Sequence, residues 1–125
     1  MPDIKFGDND VARKYTKSLR YFDVAKSAVK EMHRQVGDLK MDERGIAYRG
    51  LLVRHLVMPD NLAGTDKVMQ SLATKVSKDT MANIMGQYYP AHKSYAFSEL
   101  SRKITREEFL WAVRQAEKAG LPRII

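Results

Sequence analysis

The sequence contains no cysteine. That absence excludes disulfides, thiolate catalysis, thiolate-held structural zinc and any cysteine-bound iron-sulfur cluster on this polypeptide. Also missing is any apolar run near the roughly 20 residues that a membrane helix requires, so no membrane partner is expected. The amino terminus, MPDIKFGDND, has neither the basic nor the apolar stretch of a secretory leader, and the expected location is the cytoplasm. Internal repeats and low-complexity segments are lacking too. What is present suits one small globular unit spanning residues 1–125, with 44% hydrophobic and 30% charged residues.

Positive charge is in excess, with 22 Lys and Arg against 15 Asp and Glu and a formal charge of +7. Such an excess favours anionic partners but says nothing about fold. The cations are spread along the chain, with a mild cluster at Arg13, Lys14, Lys17 and Arg20. No basic stripe with interleaved aromatics occurs, so nucleic acid is not an expected partner.

The run GLLVRHLVMPDN (50–61) is the centre of the reading, because six of the eight residues 51–58 are apolar and Pro59 closes them. A short apolar run bounded by turn residues predicts a strand buried on both faces, as in a helix-covered parallel sheet. Arg54 is then anomalous. A guanidinium in a buried strand needs a structural carboxylate, or must lie near the strand end where ligands enter α/β folds. The strand by itself leaves both open.

The remaining elements follow from periodicity. Residues 3–6 predict a strand with Asp3 and Lys5 on one face. A weak helix is expected over 11–18 with Asp10 as cap, and a clear one from Phe22 through Ala25, Val29 and Met32 to Val36, stopped by Gly37. Residues 39–49 alternate around Asp42-Glu43-Arg44-Gly45 as a hairpin. Val68, Met69, Leu72, Ala73 and Val76 form the stripe of a helix capped by Gly64 or Thr65. A second buried strand is expected over 81–86, with Asn83, Met85 and Gln87 on one face. Thr105 and Glu108 have capping-box spacing at the start of the last helix, which Gly120 and Pro122 end. Tyr88, Tyr89, Trp111, Met32, Met69 and Met85 are expected in the core. Strands alternating with helices predict three parallel βα units in an α/β fold, with the hairpin as an insertion. The first strand would leave an open edge at residue 3, so either that edge pairs with another chain or the sequence is part of something larger.

The runs PDIKFGDND, EMHRQVGDL, GLLVRHLVMPDNLAGT, NIMGQYYP and ITREEFLWAVRQAEKAGL resemble the C-terminal half of radical S-adenosylmethionine (radical SAM) iron-sulfur proteins related to pyruvate formate-lyase activating enzyme. The resemblance covers nearly the whole chain. It implies the C-terminal half of a partial (β/α)6 barrel, whose absent N-terminal half would carry a Cys-x-x-x-Cys-x-x-Cys loop and its 4Fe-4S cluster. It further implies a partial S-adenosylmethionine site. Asp3 and Lys5 match an Asp-x-Lys pair that contacts this cofactor, Arg54 and Leu56 match an arginine and an aliphatic residue on the next strand, and Asn83, Gln87 and the neighbouring Tyr88 fall where the adenine lies. Alternation sets His55 on the opposite face from Arg54, as a packing residue. No residue of this chain is expected to be catalytic or to bind metal. The implied partners are a cysteine-bearing N-terminal half, a second copy paired through the open sheet edge, or a protein substrate. The alternative is a stand-alone module derived from the same fold that binds a protein or an anion.

Overall fold

The computed structural model describes residues 1–125, in the order α1 (Asn9–Thr16), α2 (Tyr21–Val36), β1 (Lys40–Met41), β2 (Ala47–Arg49), β3 (Leu52–Leu56), α3 (Thr65–Ser71), β4 (Met81–Met85) and α4 (Arg106–Ala119). Asp8, not Asp10, caps α1, its Oδ1 accepting from the amides of Asp10 and Val11. The first turn of α2 has no cap of its own. Asn9 supplies one from α1, its Oδ1 accepting from the Phe22 amide at 2.8 Å, so the two helices are joined where α2 begins. At α4 both halves of the capping box form between Thr105 and Glu108, and Gly120 closes the helix in the left-handed conformation.

The three parallel βα units of a barrel half are not what the chain forms. There are two small sheets: the antiparallel hairpin β1–β2 and the parallel pair β3–β4, in the register Leu52↔Met81 to Leu56↔Met85. The strand expected at residues 3–6 is reduced to one parallel bridge, Asp3↔Arg54. Two hydrogen bonds make it, from Ile4 N to Arg54 O and from Arg54 N to Pro2 O, each 2.9 Å. It extends no further because Gly7 N turns away to Ala63 O and the chain enters α1. On the far side of β4 a second single bridge, Ala82↔Ile124, lies along the edge.

Helices cover one face of the parallel pair only. Val53, His55 and Val57 point into a core with Val29 of α2, Val68, Met69 and Leu72 of the α3 region, and Ala112 and Ala116 of α4. Burying side chains of this size contributes roughly 2 kcal/mol each. Leu52, Arg54 and Leu56 alternate onto the other face and are half-buried. The expectation of a strand buried on both faces is therefore corrected: the run is apolar almost throughout, yet within β3 only Val53 and His55 are buried, while Leu52, Arg54 and Leu56 stay partly exposed. Arg54 also stands mid-strand rather than near a strand end. Met32 and Tyr89, expected in the core, are 41% and 66% exposed. No helix is long and apolar enough to cross a membrane.

Candidate functional site

The helix-free face of the sheet carries the residues singled out by sequence. Asp3 lies beside Arg54 through the parallel bridge, and Arg54 lies beside Asn83 in the β3–β4 register. Lys5 shares the Asp3 side of the first segment, while Leu56 and Met85 form the next row along the chain direction. Five of the six candidates, Asp3, Lys5, Arg54, Leu56 and Asn83, thus occupy one surface. Gln87 follows β4 by two residues and is exposed.

Asp3 is the hub of this face. Its Oδ1 accepts from Arg54 Nε at 2.6 Å, and its Oδ2 accepts from Lys5 Nζ at 2.7 Å. The guanidinium and then the ammonium hold the Asp3 carboxyl below the usual carboxylate range. Two cations share one carboxylate, so the triad carries a net positive charge at neutral pH. Each cation keeps further N–H donors beyond those given to Asp3, and each carboxylate oxygen keeps one lone pair. The structural carboxylate and the exposed position thus coexist at Arg54, whose side chain is 38% exposed.

At its C-terminal end this face meets a smaller core of Phe6, Ala12, Met58 and Ala63, against which Leu56, Tyr21 and Tyr88 pack. Beyond it lies a cavity of about 260 Å³, lined in part by Phe6, Tyr15, Tyr88, His92, Lys93 and Phe97. Tyr15 donates to Glu99 at 2.6 Å and Lys14 donates to the same oxygen at 3.0 Å, tying α1 to the 91–103 connection. These contacts hold the Glu99 carboxyl down at about 2. The sequence offered only the basic cluster around Lys14 as a sign of this region, because Phe97 and Glu99 sit in a stretch with no periodicity.

On the opposite face His55 is fully buried. Its Nδ1 donates to the Ile4 carbonyl at 2.7 Å, leaving Nε2 to accept from the Thr65 hydroxyl at 2.9 Å. Burial, with a contribution from the Lys5 charge, drives this imidazole down to about 4. It is a neutral brace between the first segment, β3 and the start of α3. Asn61 adds to the brace, accepting from the Thr65 amide at 2.9 Å.

A third polar cluster was partly legible. Glu108 accepts from the Thr105 amide, from Arg102 and from the Asp60 amide, while Arg102 also pairs with Asp60. It holds a loop in which Asp60 and Asn61 both adopt positive φ, a conformation that costs a non-glycine residue about 1 kcal/mol or more. Thr105-x-x-Glu108 announced the capping box, but nothing announced Arg102. No group of three or more His, Asp or Glu side chains is placed to hold a metal ion.

No family model matches the chain. Nor does any solved structure. The chain is 30% identical over 125 residues to an uncharacterized protein of Methanocaldococcus jannaschii, an alignment that covers 99% of this chain and 32% of that protein. It therefore spans about a third of the length of the relative it matches.

Proposed function

We propose that this chain is the C-terminal part of a radical SAM protein akin to the glycyl-radical-enzyme activating enzymes, and that its bare sheet face forms part of an S-adenosylmethionine-binding wall in the cytoplasm. One observation carries the reading: Asp3, Lys5 and Arg54 converge on the face of the parallel pair that lies opposite the helices, with Leu56 and Asn83 beside them. An amino-acid carboxylate suits the spare donors of Lys5 and Arg54. The free lone pairs of Asp3 suit a cationic or hydroxyl donor, and Leu56 with Met85 offers apolar contact to a heteroaromatic ring. The donor set therefore fits the zwitterionic cofactor. When bound, that cofactor would supply a reducible sulfonium. It does not fit a 4Fe-4S cluster, because there is no cysteine. The cluster would belong to a cysteine-bearing N-terminal half, and no catalysis is assigned to this chain alone.

The test is two-dimensional NMR of the labelled chain titrated with S-adenosylmethionine to millimolar concentration. Shifts should concentrate at Asp3, Lys5, Arg54, Leu56 and Asn83, and Arg54→Ala should remove them. A titration that moves no signal on this face would refute the assignment. A second reading, a stand-alone anion-binding module, is supported by the net charge of +7 and by the two-cation triad. It would give equal shifts at the same residues with inorganic phosphate.

A further inference from the structure

We infer that the cavity between α1 and the 91–103 connection is a binding site for a small single-ring aromatic acid that carries a ring hydroxyl. The inference is independent of what the sheet face binds. At about 260 Å³ the cavity falls below the roughly 300–1,000 Å³ of ordinary ligand sites, so its occupant is small. Phe6, Tyr15, Tyr88 and Phe97 contribute to its walls. Tyr15 stacks on Phe6 with ring centroids 6.4 Å apart and meets Phe97 edge-on at 4.9 Å. The walls thus combine rings in nearly perpendicular planes, and a further aromatic ring packs well against either a face or an edge. This corner is set before any guest arrives. Tyr21 packs edge-on against Phe6 at 5.8 Å, and its hydroxyl accepts from the Lys5 amide at 2.8 Å.

Two polar groups choose the substituents. No acidic residue lines the cavity, whereas His92 and Lys93 do. Lys93 is exposed and, unlike Lys14, which is paired with Glu99 at 3.0 Å, it has no carboxylate partner. A free ammonium at the rim favours an anionic guest, in the same sense as the net charge of +7. The second group is Ser94, also in the lining. Its Oγ is the one buried side-chain oxygen or nitrogen in the molecule with no hydrogen-bond partner. The neighbouring Tyr88 phenol does not satisfy it, being directed to the Leu100 carbonyl at 2.8 Å. Buried hydroxyls are normally paired, and rotation about the single χ1 bond carries a serine hydroxyl between staggered positions. A ring hydroxyl that reaches this depth gives Ser94 its partner, while a carboxylate at the other end of the ring stays with Lys93.

The test is an NMR titration of the whole labelled chain with para-hydroxybenzoate, with benzoate, phenol and cyclohexanecarboxylate as controls. Para-hydroxybenzoate should bind at millimolar concentration or below and shift Tyr15, Ser94 and Phe97, and each control should bind at least about threefold more weakly. Lys93→Ala should weaken para-hydroxybenzoate about fivefold and leave phenol unchanged. Ser94→Ala should weaken it about threefold and leave benzoate unchanged. Both variants should keep the circular dichroism of the parent. Arg54→Ala should alter none of these affinities, so that failure of the sheet-face reading and failure of this one are told apart. Equal binding of cyclohexanecarboxylate would mark the cavity as merely apolar and overturn the inference. So would displacement of para-hydroxybenzoate by S-adenosylmethionine, which would give the cavity to that cofactor, or the absence of any shift at these residues.

Discussion

The hydroxyl of Thr65 donates to Nε2 of His55 at 2.9 Å, pairing the second ring nitrogen of the only fully buried titratable side chain in the molecule. Because Nδ1 must donate to the Ile4 carbonyl, a second proton on the ring would turn Nε2 into a donor facing the Thr65 oxygen. Burial resists that proton.

The consequence is a stability that depends on pH. The folded value of His55 is about 4 against the ordinary 6.5, so between these limits the unfolded chain binds a proton that the folded chain refuses. Stability from this source is complete above about pH 6.5, declines as pH falls toward 4, and loses roughly 3 kcal/mol at most. Urea midpoints at pH 7 and pH 4.5 measure it. In His55→Gln the slope between those pH values should flatten, though the variant is less stable throughout.

Removing the Thr65 hydroxyl isolates the acceptor. Thr65→Val should cost about 1–3 kcal/mol, the penalty of leaving a buried imidazole nitrogen unpaired. Thr65→Ser keeps the donor and should cost less than half as much by the same denaturation assay.

Asp3 and Arg54 should behave differently. Their side chains are 25% and 38% exposed, and pairs in such settings contribute about 1 kcal/mol or less. Asp3→Asn and Arg54→Ala are therefore expected to shift the thermal midpoint by only a few degrees, while each weakens ligand binding at the sheet face at least severalfold. The small contribution of the Asp3 carboxylate is present above its unfolded value near 3.8 and is lost as pH falls through its lowered folded one. A large loss of fold in either variant would mark the triad as a structural pair.

Glu108 anchors more than its helix. Glu108→Ala deletes the acceptor for the Asp60 amide, for Thr105 and for Arg102, and about 1–2 kcal/mol should be lost. Hydrogen exchange should quicken at the Asp60 amide before it does in β3. Arg102 first, with the two amides, holds Glu108 at about 2, so its share of stability is complete above pH 4.5 and disappears toward pH 2.

Gly7 is placed against the backbone of Gly64, and a Cβ there would press on the Gly64 carbonyl oxygen. Gly7→Ala should destabilise by about 1–3 kcal/mol. The damage would appear first as lost protection of the Gly7 amide, which donates to Ala63 O at 2.8 Å.

Much of the local structure was legible in the chain. The spacing of Phe22, Ala25 and Val29 found α2, Thr105 and Glu108 found the start of α4, and alternation set Arg54 and His55 on opposite faces. Extent was not legible. A run as apolar as 51–58 looks the same whether helices cover one face or two, and nothing at residues 3–6 shows that the ladder stops after one bridge. Periodicity also put Met32 and Val36 in the same buried stripe as Phe22, yet both are exposed. The Arg102–Glu108–Asp60 cluster joins residues more than 40 apart, a separation that a local pattern cannot bridge.

The phenol at position 21 has one more implication. By occupying the Lys5 amide, one of the outward donors on the edge of the sheet, it acts as a stopper against runaway stacking of this small sheet. Were it exchanged for phenylalanine, the ring would still fill its place, but turbidity on standing should rise, and the chain would lose the safeguard that lets it persist with half its sheet undressed.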